Sequence, residues 1–142
     1  MNLLAIDSSS KYFSLAIAKD DKIAAKFLDP LGVGLSRLII PTIDWALKKS
    51  GIAIWQIDYF AVGLGPGSFT GLRVGLATIK GFAFSLNKPI IGIASLDVLA
   101  RSINKFDGST TLTINPQASR RIEAYICPII DAKRQLVYSA IY

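Results

Sequence analysis

Residues 63–75 carry the residue types and spacing in this chain that are most suggestive of chemistry. The stretch reads GLGPGSFTGLRVG and holds five of the eleven glycines in the sequence. A glycine-rich turn between an apolar strand and an apolar helix is a typical phosphate site, because the N–H groups at a helix N-terminus favour anions. The Walker loop requires Gly-Lys-Ser/Thr at the helix start, however, and this chain has Gly71-Leu72-Arg73. A nucleotide cradle and a turn that only positions a helix both stay open.

The carboxylate of Asp7 is a second candidate, because it ends an apolar run and is followed by three serines. Actin-like and sugar-kinase-like folds place an acidic residue near metal and phosphate at such a position, usually followed by a glycine that relieves crowding. Here Ser8 follows, so Asp7 and the serines could instead end a strand and cap a turn. The candidate anion or nucleotide contacts are Asp7, Ser8, Gly67 and Ser68.

The chain contains no histidine and a single cysteine, Cys127. This composition excludes Ser-His-Asp and Cys-His mechanisms and histidine-based zinc sites, and it removes the commonest general base near neutral pH. We therefore predict no catalytic residue, no metal ligand and no peptidase activity. The lone cysteine also excludes an intrachain disulfide.

Size and charge narrow the class of protein further. The 142 residues are 51% apolar, which suits a domain with a real core. The sequence has no uninterrupted run of about 18 apolar residues, so no membrane span is predicted. The first residues show no basic leader, so we expect no signal peptide and a cytoplasmic location. The formal net charge of +6 is thinly spread. An RNA-binding module using Arg120, Arg121, Lys133 and Arg134 remains an alternative.

Hydrophobic patterning predicts the order β-β-β-α-β-α-β-α. The strands are expected at residues 3–7, 13–19, 23–28, 57–64 and 89–93, and the helices at 36–50, 70–86 and 95–104. Pro41 predicts that the first turn of the first helix is displaced or kinked, and Ser95 is the expected N-cap of the third. Because each later strand is reached through a helix, the fold class is α/β with a mixed five-stranded sheet.

The end of the chain repeats its opening pattern. Apolar runs at residues 124–130 and 136–142 flank a polar turn after Asp131, as the first two strands flank the turn after Asp7. We predict an N-terminal lobe at residues 1–106, and a linker with the first hairpin of a second, incomplete lobe at 107–142. Two unrelated hairpins that look alike are the alternative.

The helix after the glycine loop has more apolar residues than it needs to cover a sheet with one of its sides. Between residues 72 and 86 its only charges are Arg73 and Lys80. We predict a second buried face that forms a protein interface, with Gly71 and Gly75 allowing a partner helix to come close, although packing onto the sheet is a competing explanation. The predicted interface residues are Phe69, Leu72, Arg73, Gly75, Leu76, Ile79, Lys80, Phe82 and Ala83.

Four segments together resemble the TsaB (YeaZ) family: residues 5–9 (AIDSS), 63–75, 91–97 (IGIASLD) and 130–134 (IDAKR). The resemblance covers residues 1–104 continuously and again 126–142. It implies an actin-like, ribonuclease H-like (ASKHA) fold. Family members commonly have His-Ser where this chain has Leu35-Ser36 and Gly-Glu where it has Gln135-Leu136, so no family contact is carried over to those positions.

The resemblance also implies a function. TsaB is the non-catalytic scaffold that dimerises with the catalytic subunit TsaD, which holds a metal through histidines and transfers a threonylcarbamoyl group to N6 of adenosine 37 in tRNA. An ATPase, TsaE, joins the pair, and tRNA is met only through the complex. A homodimer is expected when the chain is alone, with ATP or ADP bound only in the complex. The alternative is a degenerate ASKHA-type small-molecule kinase lobe that binds ATP through Asp7 and the glycine loop.

Overall fold

The computed structural model describes residues 1–30, 34–103, 129–133 and 136–139. The chain divides into two compact units, Met1–Ser95 and Leu96–Tyr142. The boundary predicted after residue 106 lies outside the described residues, as do Cys127 and three residues of the RNA-binding alternative, Arg120, Arg121 and Arg134.

The first unit is built on a five-stranded mixed sheet in the order β3-β2-β1-β4-β5. Its strands are β1 (Asn2–Asp7), β2 (Tyr12–Lys19), β3 (Lys22–Pro30), β4 (Tyr59–Gly63) and β5 (Ile90–Ile93). The first three strands form an antiparallel meander, whereas β4 is parallel to β1 and β5 is parallel to β4. The predicted α/β class and mixed sheet are confirmed, since a strand reached through a helix returns in the same direction.

Two helices of this unit end where their sequences predict. Helix α1 (Leu35–Ser50) stops at Gly51, which adopts a left-handed conformation with φ 66°. Helix α2 (Phe69–Leu86) ends at Leu86, and at its other end Ser68 is the N-cap, whose hydroxyl oxygen accepts a hydrogen bond from the Gly71 N–H. Pro41 lies inside α1, as the sequence predicts, and the helix begins at Leu35, so its first turn is not displaced beyond the proline. A kink at Pro41 stays a prediction.

The core lies between one face of the sheet and both helices. Alternate residues of the central strands, such as Leu4 and Ile6 on β1 and Phe60 and Val62 on β4, point into a single cluster. The helices contribute the buried residues Ile39, Ile43, Ala46, Ile79 and Ala83 to that cluster. Leu3, Ala5 and Asp7 alternate with the core residues and therefore lie on the opposite face.

Helix α3 (Ser95–Ile103) begins at the last residue of the first unit and continues into the second. The described residues of the second unit also include two strands. Strand β6 (Ile129–Lys133) pairs antiparallel with β7 (Leu136–Ser139). The predicted strand pair is confirmed, and its assignment to a second lobe stays a prediction. Strand β6 includes Asp131 and Lys133, which were predicted to lie in the turn. Of the helices that the structure describes, none is long and apolar enough to cross a membrane.

Phe60 offers a direct test of this core. Its ring is fully buried and stacks on the Phe82 ring of α2, with 6.2 Å between ring centroids. We expect Phe60→Ala to lower the free energy of unfolding by about 3–5 kcal/mol, through lost burial and the cavity left behind. Denaturant unfolding measures the loss. Trp55→Ala is the control, since Trp55 is 69% exposed, and an equal loss in both variants would contradict the assigned core.

Candidate functional site

The glycine loop closes on the turn between β1 and β2. A Cβ atom added at Gly67 would overlap the backbone carbonyl of Ser9, and one added at Gly71 would overlap the carbonyl of Ser8. Backbone atoms cannot move aside as a flexible side chain can. Both positions therefore require glycine for the chain's own packing.

Three further glycines of the loop are constrained in similar ways. At Gly75 a Cβ would overlap the Ser8 hydroxyl, and at Gly63 it would stand 2.6 Å from the Asp7 carboxyl carbon. Gly65 has φ +87°, a backbone conformation that other residues rarely adopt. Four of the five glycines in this stretch are thus required by close contact with residues 7–9, and Gly65 by its own backbone conformation, whatever ligand or partner the protein binds.

The polar groups predicted to meet a phosphate bond to one another instead. The Ser8 hydroxyl donates to the Gly71 carbonyl at 2.8 Å and the Ser68 N–H donates to the Ser9 carbonyl at 2.5 Å. The Gly71 N–H is used by the Ser68 hydroxyl, at 3.3 Å. The candidate contacts Ser8, Gly67 and Ser68 therefore do come together, but as an internally bonded turn.

Asp7 belongs to the same network. One carboxylate oxygen accepts the Ser9 N–H at 2.7 Å, as an aspartate that caps a turn does. The Ser95 hydroxyl donates to the Ser9 hydroxyl at 2.9 Å and lies 3.5 Å from the second Asp7 oxygen. Within the ranges described, no group of three carboxylate or cysteine side chains is placed to hold a metal ion.

Ser95 is the residue of this network that the sequence analysis missed. It was predicted to cap α3, whereas it is the first residue of that helix and its hydroxyl reaches back to Ser9. The available signal was topological: β1, β4 and β5 are parallel, so the residues that follow them meet at one edge of the sheet. Ser95 lies two residues after the end of β5, as Ser9 lies two residues after the end of β1.

Helix α2 has one buried side, not the two that its composition predicts. Gly71, Gly75, Ile79 and Ala83 follow one another at helical spacing and are buried in the chain's own interior. The prediction that Gly75, Ile79 and Ala83 line a partner surface is therefore wrong, because each is covered by the sheet or by the turn at Ser8. The competing explanation is therefore correct: Gly71 and Gly75 let α2 pack closely against its own sheet and the turn at Ser8.

The other predicted interface residues reach the surface to different extents. Phe69 is 68% exposed, and the Arg73 guanidinium lies over its ring at 4.1 Å. Lys80 is exposed as well, whereas Leu72, Leu76 and Phe82 are half-buried. These six residues remain available to a partner in whole or in part.

The most exposed face of α2 was missed. Ala77, Gly81 and Phe84 lie opposite the buried side at 100° per residue, and Phe84 is 91% exposed. A Cβ at Gly81 would meet no atom within 4 Å. Of the three glycines in α2, Gly81 is thus the one that the chain's own fold does not require. The spacing from Arg73 and Lys80, which mark the exposed side, could have identified this face.

Comparison with known proteins identifies the class of protein to which this fold belongs. The model of the TsaD family, described as tRNA N6-adenosine threonylcarbamoyltransferase, matches residues 34–142. YeaZ from Pseudomonas aeruginosa superposes on 99% of this chain and 59% of its own length, with a TM-score of 0.82 and 26% identity. The fold is therefore an actin-like α/β lobe.

Two curated relatives refine this assignment. The Bacillus subtilis tRNA threonylcarbamoyladenosine biosynthesis protein TsaB is 32% identical over the whole chain and 55% of the relative. The Haemophilus influenzae protein of the same name is 37% identical over 94% of this chain and 56% of the relative. The chain belongs to the TsaB (YeaZ) family, and it spans about half the length of the curated relatives it matches.

The glycines of α2 give a matched pair of variants. We expect Gly71→Ala to lower the free energy of unfolding by about 1–3 kcal/mol or more, because the new methyl overlaps the Ser8 carbonyl. Gly81→Ala should raise it by about 0.5–1 kcal/mol, since alanine restricts the unfolded chain and fits open space. Denaturant unfolding of both variants measures the difference, and effects of the same sign would refute this assignment of the two glycines.

Proposed function

We propose that this chain is a non-catalytic subunit in the synthesis of threonylcarbamoyladenosine in tRNA, acting as the partner and activator of a TsaD-type catalytic subunit. Its membership of the TsaB family supports the pathway. Because the chain spans about half of those relatives, the activity and partners of the whole protein are part of the proposal. A TsaE-type ATPase and tRNA would be met through the complex, and a homodimer would form when the partner is absent.

The observation that carries the non-catalytic role is the closure of the glycine loop. Three donors that could hold a phosphate, the Ser8 hydroxyl and the N–H groups of Ser68 and Gly71, are bonded to the Gly71 carbonyl, the Ser9 carbonyl and the Ser68 hydroxyl. The sequence also lacks histidine, so the common general base near neutral pH is missing. Both facts favour a scaffold over the degenerate kinase lobe.

The proposed partner surface is the exposed side of α2. Ala77 and Gly81 would let a partner helix come close, and Phe84 would bury its ring in the contact. Phe69, Arg73 and Lys80 extend this surface along the neighbouring flank, with partial contributions from Leu72, Leu76 and Phe82. A solvent-exposed phenylalanine contributes little to the stability of its own chain, so its gain would come from association.

Substitutions on this surface should separate association from folding. We expect Gly81→Arg and Phe84→Asp to weaken binding to the TsaD-type subunit at least about tenfold, because a bulky or charged group replaces an apolar contact. Isothermal titration measures the affinity, and denaturant unfolding checks that the variants stay folded. Trp55→Asp is the control, since Trp55 is an exposed aromatic residue on the short 3-10 helix Ile54–Gln56 and not on α2. Unchanged affinity in both α2 variants would refute the proposed surface.

Nucleotide binding distinguishes the scaffold from the kinase lobe. We expect the chain alone to give no binding heat when titrated with ATP and Mg²⁺, because the Ser8 hydroxyl and the N–H groups of Ser68 and Gly71 are already bonded within the chain. A dissociation constant below about 1 mM would favour the kinase lobe, particularly if Asp7→Ala abolished it. ATP or ADP bound only after the catalytic subunit is added would agree with a nucleotide held by the complex.

A further inference from the structure

The outer edge of β5 presents unpaired backbone groups. In the parallel pairing with β4, the Phe60 N–H donates to the Pro89 carbonyl at 3.1 Å and the Leu64 N–H to the Ile93 carbonyl at 2.8 Å. Because alternate residues of a strand face its neighbour, the N–H and C=O groups of Ile90 and Gly92 point the other way. Within the part of the chain that the structure describes, no strand pairs with this edge.

A hollow lies beside this edge, where the end of α2 meets the start of β5. Its volume is about 450 Å³. It is lined by Lys80, Ala83, Phe84, Asn87, Lys88 and Ile90. The apolar part is formed by Ala83, by the exposed ring of Phe84 and by Ile90, whose side chain also stands at the open edge. An apolar side chain of about the size of leucine or phenylalanine would fit such a space.

The charge of the hollow has one sign. Lys80 and Lys88 line it and no acidic residue does. Neither lysine takes part in an ion pair in the described ranges, where the ion pairs are Met1 with Asp20 and Lys48 with Asp44. Two unneutralised ammonium groups next to an apolar wall favour a ligand that carries both carboxylates and an apolar group.

We propose that the β5 edge and this hollow bind an extended acidic segment of a partner protein, which adds to the sheet as a further strand. The segment would pair its backbone with Ile90 and Gly92, place an apolar side chain between Phe84 and Ile90, and direct carboxylates toward Lys80 and Lys88. The unpaired strand edge selects a peptide over a nucleic acid, because a phosphodiester backbone has no alternating N–H and C=O groups. The contact shares Lys80 and Phe84 with the proposed TsaD-type surface, whereas Lys88, Ile90 and Gly92 belong to it alone. The experiment therefore reads these last three residues, so that its outcome is separate from that of the TsaD-type surface.

The probe is a synthetic acetylated nonapeptide of alternating Glu and Val with a central Phe, titrated into the ¹⁵N-labelled chain. We expect the amide signals of Ile90 and Gly92 to shift most, and the affinity to fall as salt is raised from low to physiological concentration. Lys88→Glu should weaken binding about fivefold or more, since it reverses a charge beside the ligand. Lys26→Glu is the matched control, because Lys26 is an exposed lysine on the opposite edge strand β3.

Several results would overturn this proposal. Equal weakening by both lysine variants, or equal binding of a peptide with Lys in place of Glu, would remove the assigned charge recognition. Unchanged affinity after N-methylation of alternate peptide amides, tested in both registers, would remove the strand pairing. Shifts of Ile90 and Gly92 caused by a uridine oligonucleotide, or by raising the concentration of the chain alone, would assign the edge to RNA or to a second copy. Absence of any shift at millimolar peptide would refute the site.

Discussion

The contact between the glycine loop and the turn at residues 7–9 is the constraint on which the rest of the first unit depends. It joins the end of β1, the end of β4 and the start of α2, which are distant in sequence. The contact is backbone against backbone, with Gly67 and Gly71 meeting the carbonyls of Ser9 and Ser8. Such a contact leaves little room for sliding or rotation, so it determines where α2 begins and which way that helix faces.

The orientation of α2 then determines which of its side chains are exposed. With Gly71 and Gly75 held against Ser8, the same side of the helix carries Ile79 and Ala83 into the core. The opposite side must carry Ala77, Gly81 and Phe84 outward. A single packing contact at one end of the helix therefore separates the residues that stabilise the lobe from those that can meet another molecule.

The contact with residues 7–9 also changes the function that the glycine-rich sequence indicates. Such a loop next to a helix N-terminus suits an anion when its N–H groups are free. Here the Gly71 N–H donates to the Ser68 hydroxyl and the Ser68 N–H donates to the Ser9 carbonyl. Among the described residues, the exposed side of α2 and the lysine-bearing corner where α2 meets β5 are the two surfaces proposed for recognition. Both suit protein partners, in agreement with the proposed role as a scaffold.

The sequence by itself determined the elements, their order and the mixed sheet, because strand and helix periods are local and the chain direction follows from the connections. The motif in residues 63–75, together with the segments at 5–9, 91–97 and 130–134, was also enough to indicate the family. The apolar pattern of α2 did not determine which side of that helix is exposed, because apolar residues surround most of it and only Arg73 and Lys80 mark the exposed side. Nor did the sequence show what Gly71 and Gly75 approach, or that Ser95 joins Ser9. Glycine signals that something must come close, but only the tertiary structure decides which atoms do, because the contact partners lie far apart along the chain.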